Sequence, residues 1–169
     1  MKIQIRKYQK EDRVACIAIF NSNLPKYFDP SELADFETWL DGHDQGVLAY
    51  QSTSIEPYFV LINNNQILAC GGYYLARDAS KANLCWGMVD GAFHKKGLGR
   101  HLLEFRLQDI SSKYPDYPIQ MDTSQHTLPF FEKLGFVVVK ITENGYGQGL
   151  HRYDMVKDST IEASKRPQN

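Results

Sequence analysis

The order of elements in this sequence predicts one α+β (mixed α/β) domain: a twisted, mostly antiparallel central sheet of about six or seven strands, flanked by helices. Three observations lead there. Apolar runs at Pro57–Ile62, Gln66–Ala76 and Asn83–Val89 follow one another with only turn residues between them, the pattern of an antiparallel meander. A long amphipathic helix then leads from the third run to a further short strand, and a crossover of that kind joins parallel neighbours. At 169 residues the chain has the length of a single domain able to bury a core.

Taken in order, Lys2–Arg6 alternates polar and apolar residues, with Ile3 and Ile5 on one face of a half-buried strand. Glu11–Asn21 carries Val14, Ile17, Ala18 and Phe20 at helical spacing, and Pro25 stops it. Ser31 is the expected N-cap of a second helix that runs through Leu33, Phe36, Trp39 and Leu40 until Gly42. Residues 42–55 have no clear period; Gly46–Tyr50 reads equally as a short strand or a helical turn. Asn63-Asn64-Asn65 is a turn triplet able to take positive φ.

Leu98, Leu102, Leu103, Phe105, Leu107 and Ile110 give the long helix a broad apolar face, and Pro115 and Pro118 bracket its end. Pro118–Asp122 is a short strand and Thr127–Leu134 a short helix with Gly135 as its C′ residue. Phe136–Ile141 and Leu150–Val156 are the last two strands, on either side of a turn at Gly145–Gly149. The expected domain covers residues 1–157, and the polar, Pro-containing stretch 158–169 is expected to be a tail.

Lys and Arg number 19 against 20 Asp and Glu, a net charge of -1, which speaks against a general nucleic-acid or membrane-surface binder. Cys16, Cys70 and Cys85 are an odd number without CxxC spacing, and each sits in an apolar stretch. They are expected to be buried free thiols of a cytoplasmic protein. No run approaches the roughly 18 apolar residues of a membrane span.

Charge is concentrated at one place. His94-Lys95-Lys96-Gly97-Leu98-Gly99-Arg100 puts two glycines and three cationic residues at a strand-to-helix junction. A helix N-terminus leaves about four N–H groups unpaired and carries roughly half a positive charge, so a phosphate suits it. The spacing is not that of a Walker A loop, which needs Gly-Lys-Ser/Thr after a glycine and four residues. It is not a dinucleotide fingerprint either, because Leu102 stands where the third glycine would be. Nucleotide hydrolysis also lacks a metal-ligand cluster here, and no metal is expected.

About thirty residues on comes Phe131-Glu132-Lys133-Leu134-Gly135-Phe136. With these two motifs, over about residues 1–157, the chain resembles the GNAT superfamily of acetyl-CoA-dependent N-acetyltransferases. That family's pyrophosphate loop is written Q/R-x-x-G-x-G/A, and its short-helix motif ends in Y-E-K-L-G-F. The resemblance implies that residues 94–100, namely His94, Lys95, Lys96, Gly97, Leu98, Gly99 and Arg100, hold the phosphates of acetyl-CoA. It implies that the strand before the loop bulges and splays, that the pantetheine arm pairs with Met88 and Val89, and that an N–H near Val89 polarises the thioester carbonyl. It implies direct attack by a neutral amine of a small molecule or peptide, and dimerisation is common in the family.

The departures carry information too. Phe131 stands where many members have a tyrosine that protonates the leaving thiolate, which leaves the acid and base unassigned. A second reading follows: an acyl-CoA-binding sensor with little or no turnover. Ser124 replaces an asparagine that often contacts the cofactor arm, and Ser124 and His126 lie near the expected thiol position as candidates for proton transfer. Asp90 is expected to face solvent, and Asp122 to cap the short helix. Tyr73 and Tyr74 must face opposite sides of the sheet, one in the core and one toward the acceptor groove. Tyr27, Phe28, Trp39, Tyr146 and Tyr153 either pack internally or line that groove.

Overall fold

Asn64 and Asn65 take φ of 49° and 62°, so a two-residue turn with both central residues left-handed joins β3 (Tyr58–Asn63) to β4 (Gln66–Ala76). That turn fixes the register at Asn63↔Gln66, and the pleat then sorts β3 into two faces. Tyr58 and Val60 pack with one cluster, Phe59 and Leu61 with those on the opposite side. The computed structural model describes residues 2–158.

The remaining strands are β1 (Ile3–Lys7), β2 (Thr53–Ile55), β5 (Ala82–Val89), β6 (Ile119–Thr123), β7 (Val137–Gly147) and β8 (Leu150–Lys157). They form one eight-stranded sheet in the order β1-β3-β4-β5-β6-β8-β7, with β2 paired to β4 off that path. Every pairing is antiparallel except β5–β6. The α+β class is therefore as the element order predicts, and the eighth strand, β2, comes from the stretch without readable period.

Helices α1 (Arg13–Ser22) and α2 (Leu33–Gln45) cover one face, where Phe20, Phe36, Trp39 and Leu40 meet Tyr58, Val60 and Met88. Helix α3 (Leu98–Lys113) covers the other, burying Leu98, Leu102, Leu103 and Ile110. A short helix, α4 (Leu128–Glu132), follows β6. Among the described residues no helix is long and apolar enough to cross a membrane.

Several local expectations are corrected. Ser31 is not the cap of α2. Asp29 instead caps the 3-10 turn at Pro30–Glu32 that leads into α2, accepting from the Ser31 N–H at 2.9 Å while Glu32 accepts from the Asp29 N–H at 2.8 Å, a reciprocal capping box. Helix α2 runs past Gly42 and stops at Gly46 with φ 69°. At Gly42 the chain returns so closely that an added Cβ would lie 2.9 Å from Ala49.

The loop after it is organised by buried Glu56, which accepts from the N–H of Ala49 and Tyr50 and from the Thr53 hydroxyl. This carboxylate, by taking the loop's donors, holds residues 46–52 as neither strand nor helix. Strand β7 continues through the expected Gly145–Gly149 turn, and the reversal is confined to Gln148-Gly149. Its Val137, Val139 and Ile141 are exposed on an edge strand. The expected tail lies outside the described residues from 159 onward.

Candidate active site

Strands β5 and β6 pair only at Ala82↔Ile119 and Asn83↔Gln120, and beyond that they separate. Two features drive the separation. Between the pairs Gly72↔Cys85 and Cys70↔Met88, one residue of β4 faces two of β5, a bulge at Trp86–Gly87. Trp86 sits at φ 46°, rare for a large side chain. Its backbone carbonyl accepts from the Tyr58 hydroxyl at 3.1 Å, its indole donates to the Tyr50 hydroxyl at 3.3 Å, and its ring lies 5.1 Å from Phe36. Tertiary packing thus holds a backbone conformation that tryptophan avoids.

The gap opens a cleft of about 840 Å³. On its β5 wall the Asp90 N–H donates to Leu68 O on β4, so the alternation of a strand turns the Val89 N–H and C=O away from β4 and toward the gap. The Val89 carbonyl accepts from Asn23 Nδ2 at 2.9 Å and from His94 Nε2 at 3.0 Å. Asp90 caps a 3-10 turn at Gly91–Phe93, accepting from the Ala92 N–H.

At the mouth, Gly97 holds φ 80° and α3 begins at Leu98. The first helical bond runs from His101 N–H to Gly97 O at 3.1 Å, which leaves the N–H groups of Leu98, Gly99 and Arg100 without helical partners. Lys95 is exposed there, and Arg100 pairs with Glu104 at 2.8 Å. Lys96 does not join them. It points to the other side, its ammonium 4.6 Å from the Phe93 ring, in a shallow hollow with Ile3, Ile5, His101 and Phe105.

The opposite wall starts where β6 ends. Ser124 is 3% exposed and its Oγ accepts from the His126 N–H. His126 is exposed, its ring edge-on to Tyr27, which also meets His94. Phe131 lies against Phe130 and Phe136 and lines the cleft. Asp122 does not cap α4. The Tyr146 hydroxyl donates to it, and Arg152 stands 3.6 Å away while pairing with Asp154 at 2.9 Å. Burial first, and then Asp122, raise the Tyr146 hydroxyl above its ordinary range.

At the far end Glu32 and Asp35 face the cleft with Tyr27, Phe28, Tyr50 and Tyr74. Burial, reinforced by Asp122, Asp29 and Asp35, pushes the Glu32 carboxyl up to about 7.

The profile of the acetyltransferase (GNAT) domain family matches residues 25–159, most of the chain. The chain belongs to the GNAT acetyltransferase family. No curated protein sequence matches it. Among solved structures, a GNAT-family protein from Desulfovibrio desulfuricans superposes with a TM-score of 0.76 at 17% identity, over 93% of this chain and 99% of that one. The ribosomal-protein-S18-alanine N-acetyltransferase from Escherichia coli does so at 0.69 and 18%, over 93% and 94%. A GNAT-family acetyltransferase from Staphylococcus aureus Mu50 gives 0.71 and 17%, over 93% and 99%. At these identities the similarity is one of fold.

In this GNAT chain the cleft brings together Met88, Val89, His94, Lys95, Gly97, Leu98, Gly99, Arg100, Ser124, His126 and Phe131, and of the expected residues leaves out only Lys96. Tyr74 lines it, whereas Tyr73 is buried with its hydroxyl on Asp109 at 2.6 Å. Trp39 is core, and Tyr153 packs against the α3-side cluster. Cys85 lines the cleft, but burial pushes its thiol up, away from nucleophilic use.

Sequence reasoning missed Asn23, Glu32 and Arg106. A signal existed for Arg106, which interrupts the i+4 row Leu98, Leu102, Ile110 at a core position. None existed for Asn23 or Glu32, whose roles depend on where a loop returns.

Proposed function

We propose that this GNAT protein is an acetyl-CoA-dependent N-acetyltransferase that moves an acetyl group to a primary amine of a small molecule or peptide. The observation that carries the reading is the continuity of one cleft, from the unpaired amides of α3 and Lys95, past the Val89 N–H, to the carboxylates at the other end. A pyrophosphate fits the helix N-terminus, and the pantetheine arm fits the opened edge of β5 beside Met88 and Val89. The Val89 N–H would donate to the thioester oxygen as negative charge develops on it. Lys95 and Arg100 supply charge near the phosphates. Ser124 and Phe131 flank the arm from the β6 side.

Glu32, Asp35 and Asp122 favour a cation at the acceptor end, which supports an amine over a hydroxyl. The acceptor arrives as an ammonium and must lose a proton before it attacks. A carboxyl that titrates near 7 suits that task, so Glu32 serves as the base in this reading, ahead of Ser124 and the exposed His126. Attack is then direct, without an acyl-enzyme.

Thermal unfolding with CoA or acetyl-CoA tests the donor. At a 100-fold excess over Kd a rise of about 5–10 °C in Tm is expected, and no shift with either ligand overturns the reading. Release of free thiol above the amine-free rate, across a panel of amines, separates transfer from mere binding; its absence would favour the sensor reading that Phe131 suggests. The two lysines should also differ. Lys95→Ala is expected to weaken CoA binding about fivefold, the worth of one partly exposed charge contact, and Lys96→Ala to leave it unchanged by calorimetric titration.

A further inference from the structure

Arg106 is 4% exposed, and its guanidinium has no carboxylate within 4.0 Å among the described residues. Its bonds are to neutral carbonyls: Nη1 to Gly72 O at 3.2 Å and Nε to Leu102 O at 3.4 Å. The ionisable groups around it are Cys85, Tyr58 and Cys70, all of them thiols or a phenol, and burial lowers its own pKa. Room for it exists because two strand positions lack side chains. A Cβ on Gly87 would lie 2.8 Å from Nη2, and one on Gly71 would lie 3.1 Å from Nη1. Burying a cation without a carboxylate partner is costly, and a methionine or leucine at this core position would avoid that cost. The guanidinium instead lines the cleft floor under the bulge, among Leu84, Leu102, Leu103 and Met121.

We propose that Arg106 is the group that stabilises the departing thiolate of coenzyme A, the task for which Phe131 has no hydroxyl. The inference rests on the acetyl-CoA reading above. The neutral amine nitrogen attacks the thioester carbonyl carbon and a C–N bond forms. The C–S bond then breaks, and its electron pair stays on sulfur. The nitrogen's remaining extra proton passes to solvent, and the thiolate takes a proton when it leaves. Between those events the sulfur carries a full negative charge in a site walled by Leu84, Met121 and Phe131, where a fixed cation without a competing carboxylate has most effect.

The test titrates the thiol of protein-bound CoA. Alkylation of bound CoA by iodoacetamide is followed against pH, with S-alkylated CoA read by mass, in the wild type, Arg106→Lys and Arg106→Met. The bound thiol is expected to titrate about one pH unit or more below free CoA in the wild type, to rise by at least that much in Arg106→Met, and to fall between in Arg106→Lys. kcat at pH 7 should drop about tenfold or more in Arg106→Met, with little change in the KM for acetyl-CoA.

An unchanged thiol titration in Arg106→Met, with CoA still raising its Tm, overturns the proposal and leaves Arg106 a structural residue. If Arg106→Met does not fold, Gly87→Ala displaces the flexible guanidinium end and decides by the same two outcomes. Absence of any CoA-dependent Tm shift in the wild type would instead refute the donor reading, which is a distinguishable result.

Discussion

The Gly99→Glu variant is expected to lose CoA binding by roughly 100-fold while keeping its fold. Position 99 is the second residue of α3, among the amides without helical partners. In the proposed binding mode a carboxylate there would face the pyrophosphate at short range, and a repulsion of about 3 kcal/mol at an effective dielectric near 20 corresponds to that loss. The same charge is welcome to the helix, since a carboxylate in the first turn stabilises by about 0.3–1 kcal/mol. Sterically the change is mild, because a Cβ on Gly99 meets only Val89 Cγ2 at 3.6 Å. Tm without ligand should stay level or rise, and the CoA-dependent increment should vanish. Calorimetric titration and thermal unfolding read the two quantities separately, and a variant that still shifts with CoA would place the phosphates elsewhere.

The second large effect is expected at Glu32. If its carboxyl takes the ammonium proton, kcat/KM rises with pH through about 7 as that carboxyl ionises. Glu32→Gln should remove that limb and lower kcat by about 100-fold or more. The same shift fixes the sign of a stability effect. Burial and the neighbouring Asp122, Asp29 and Asp35 make the folded state hold this proton more tightly than the unfolded chain, whose value is 4.5. Stability is therefore lost as pH rises from the unfolded value through about 7. Glu32→Gln keeps an oxygen for the Asp29 N–H and carries no charge. It should be at least as stable as wild type at pH 8, with the difference gone below pH 4.5. A variant that retains the rising limb near pH 7 would move the base to another residue.

Much of the fold was legible because it is written in local chemistry. The strand of Gln66–Ala76, the paired asparagines before it and the helix after Gly97 depend on period and turn preference, and those act over a few neighbouring residues. The helix start at one end of the cleft was legible for the same reason, since glycines, cations and the first residues of α3 stand side by side at 94–100. Lys96 escaped that logic. Next to Lys95 in sequence, it turns onto Phe93 because the residue before it is left-handed, at φ 61°.

The carboxylate-lined end of the cleft obeyed no local rule. Glu32 has the sequence of a capping residue and acts as one; that it also shares the cleft with Asp122 is set by segments far apart in the chain. Asp122 likewise has the spacing of a cap, but the Tyr146 hydroxyl, brought over by the long β7, claims it.

By itself the sequence determined the α+β class, the meander and its turns, and the glycine-rich start of α3 with its neighbouring cations. Tertiary structure alone decided how the strands part, which carboxylates converge, and that Arg106 lies beneath Gly71 and Gly87 with no carboxylate partner among the described residues. The physical reason is range: backbone propensity and helix dipoles act over a few residues, whereas the burial that shifts a carboxyl and the space that admits a guanidinium are set by segments distant in the chain.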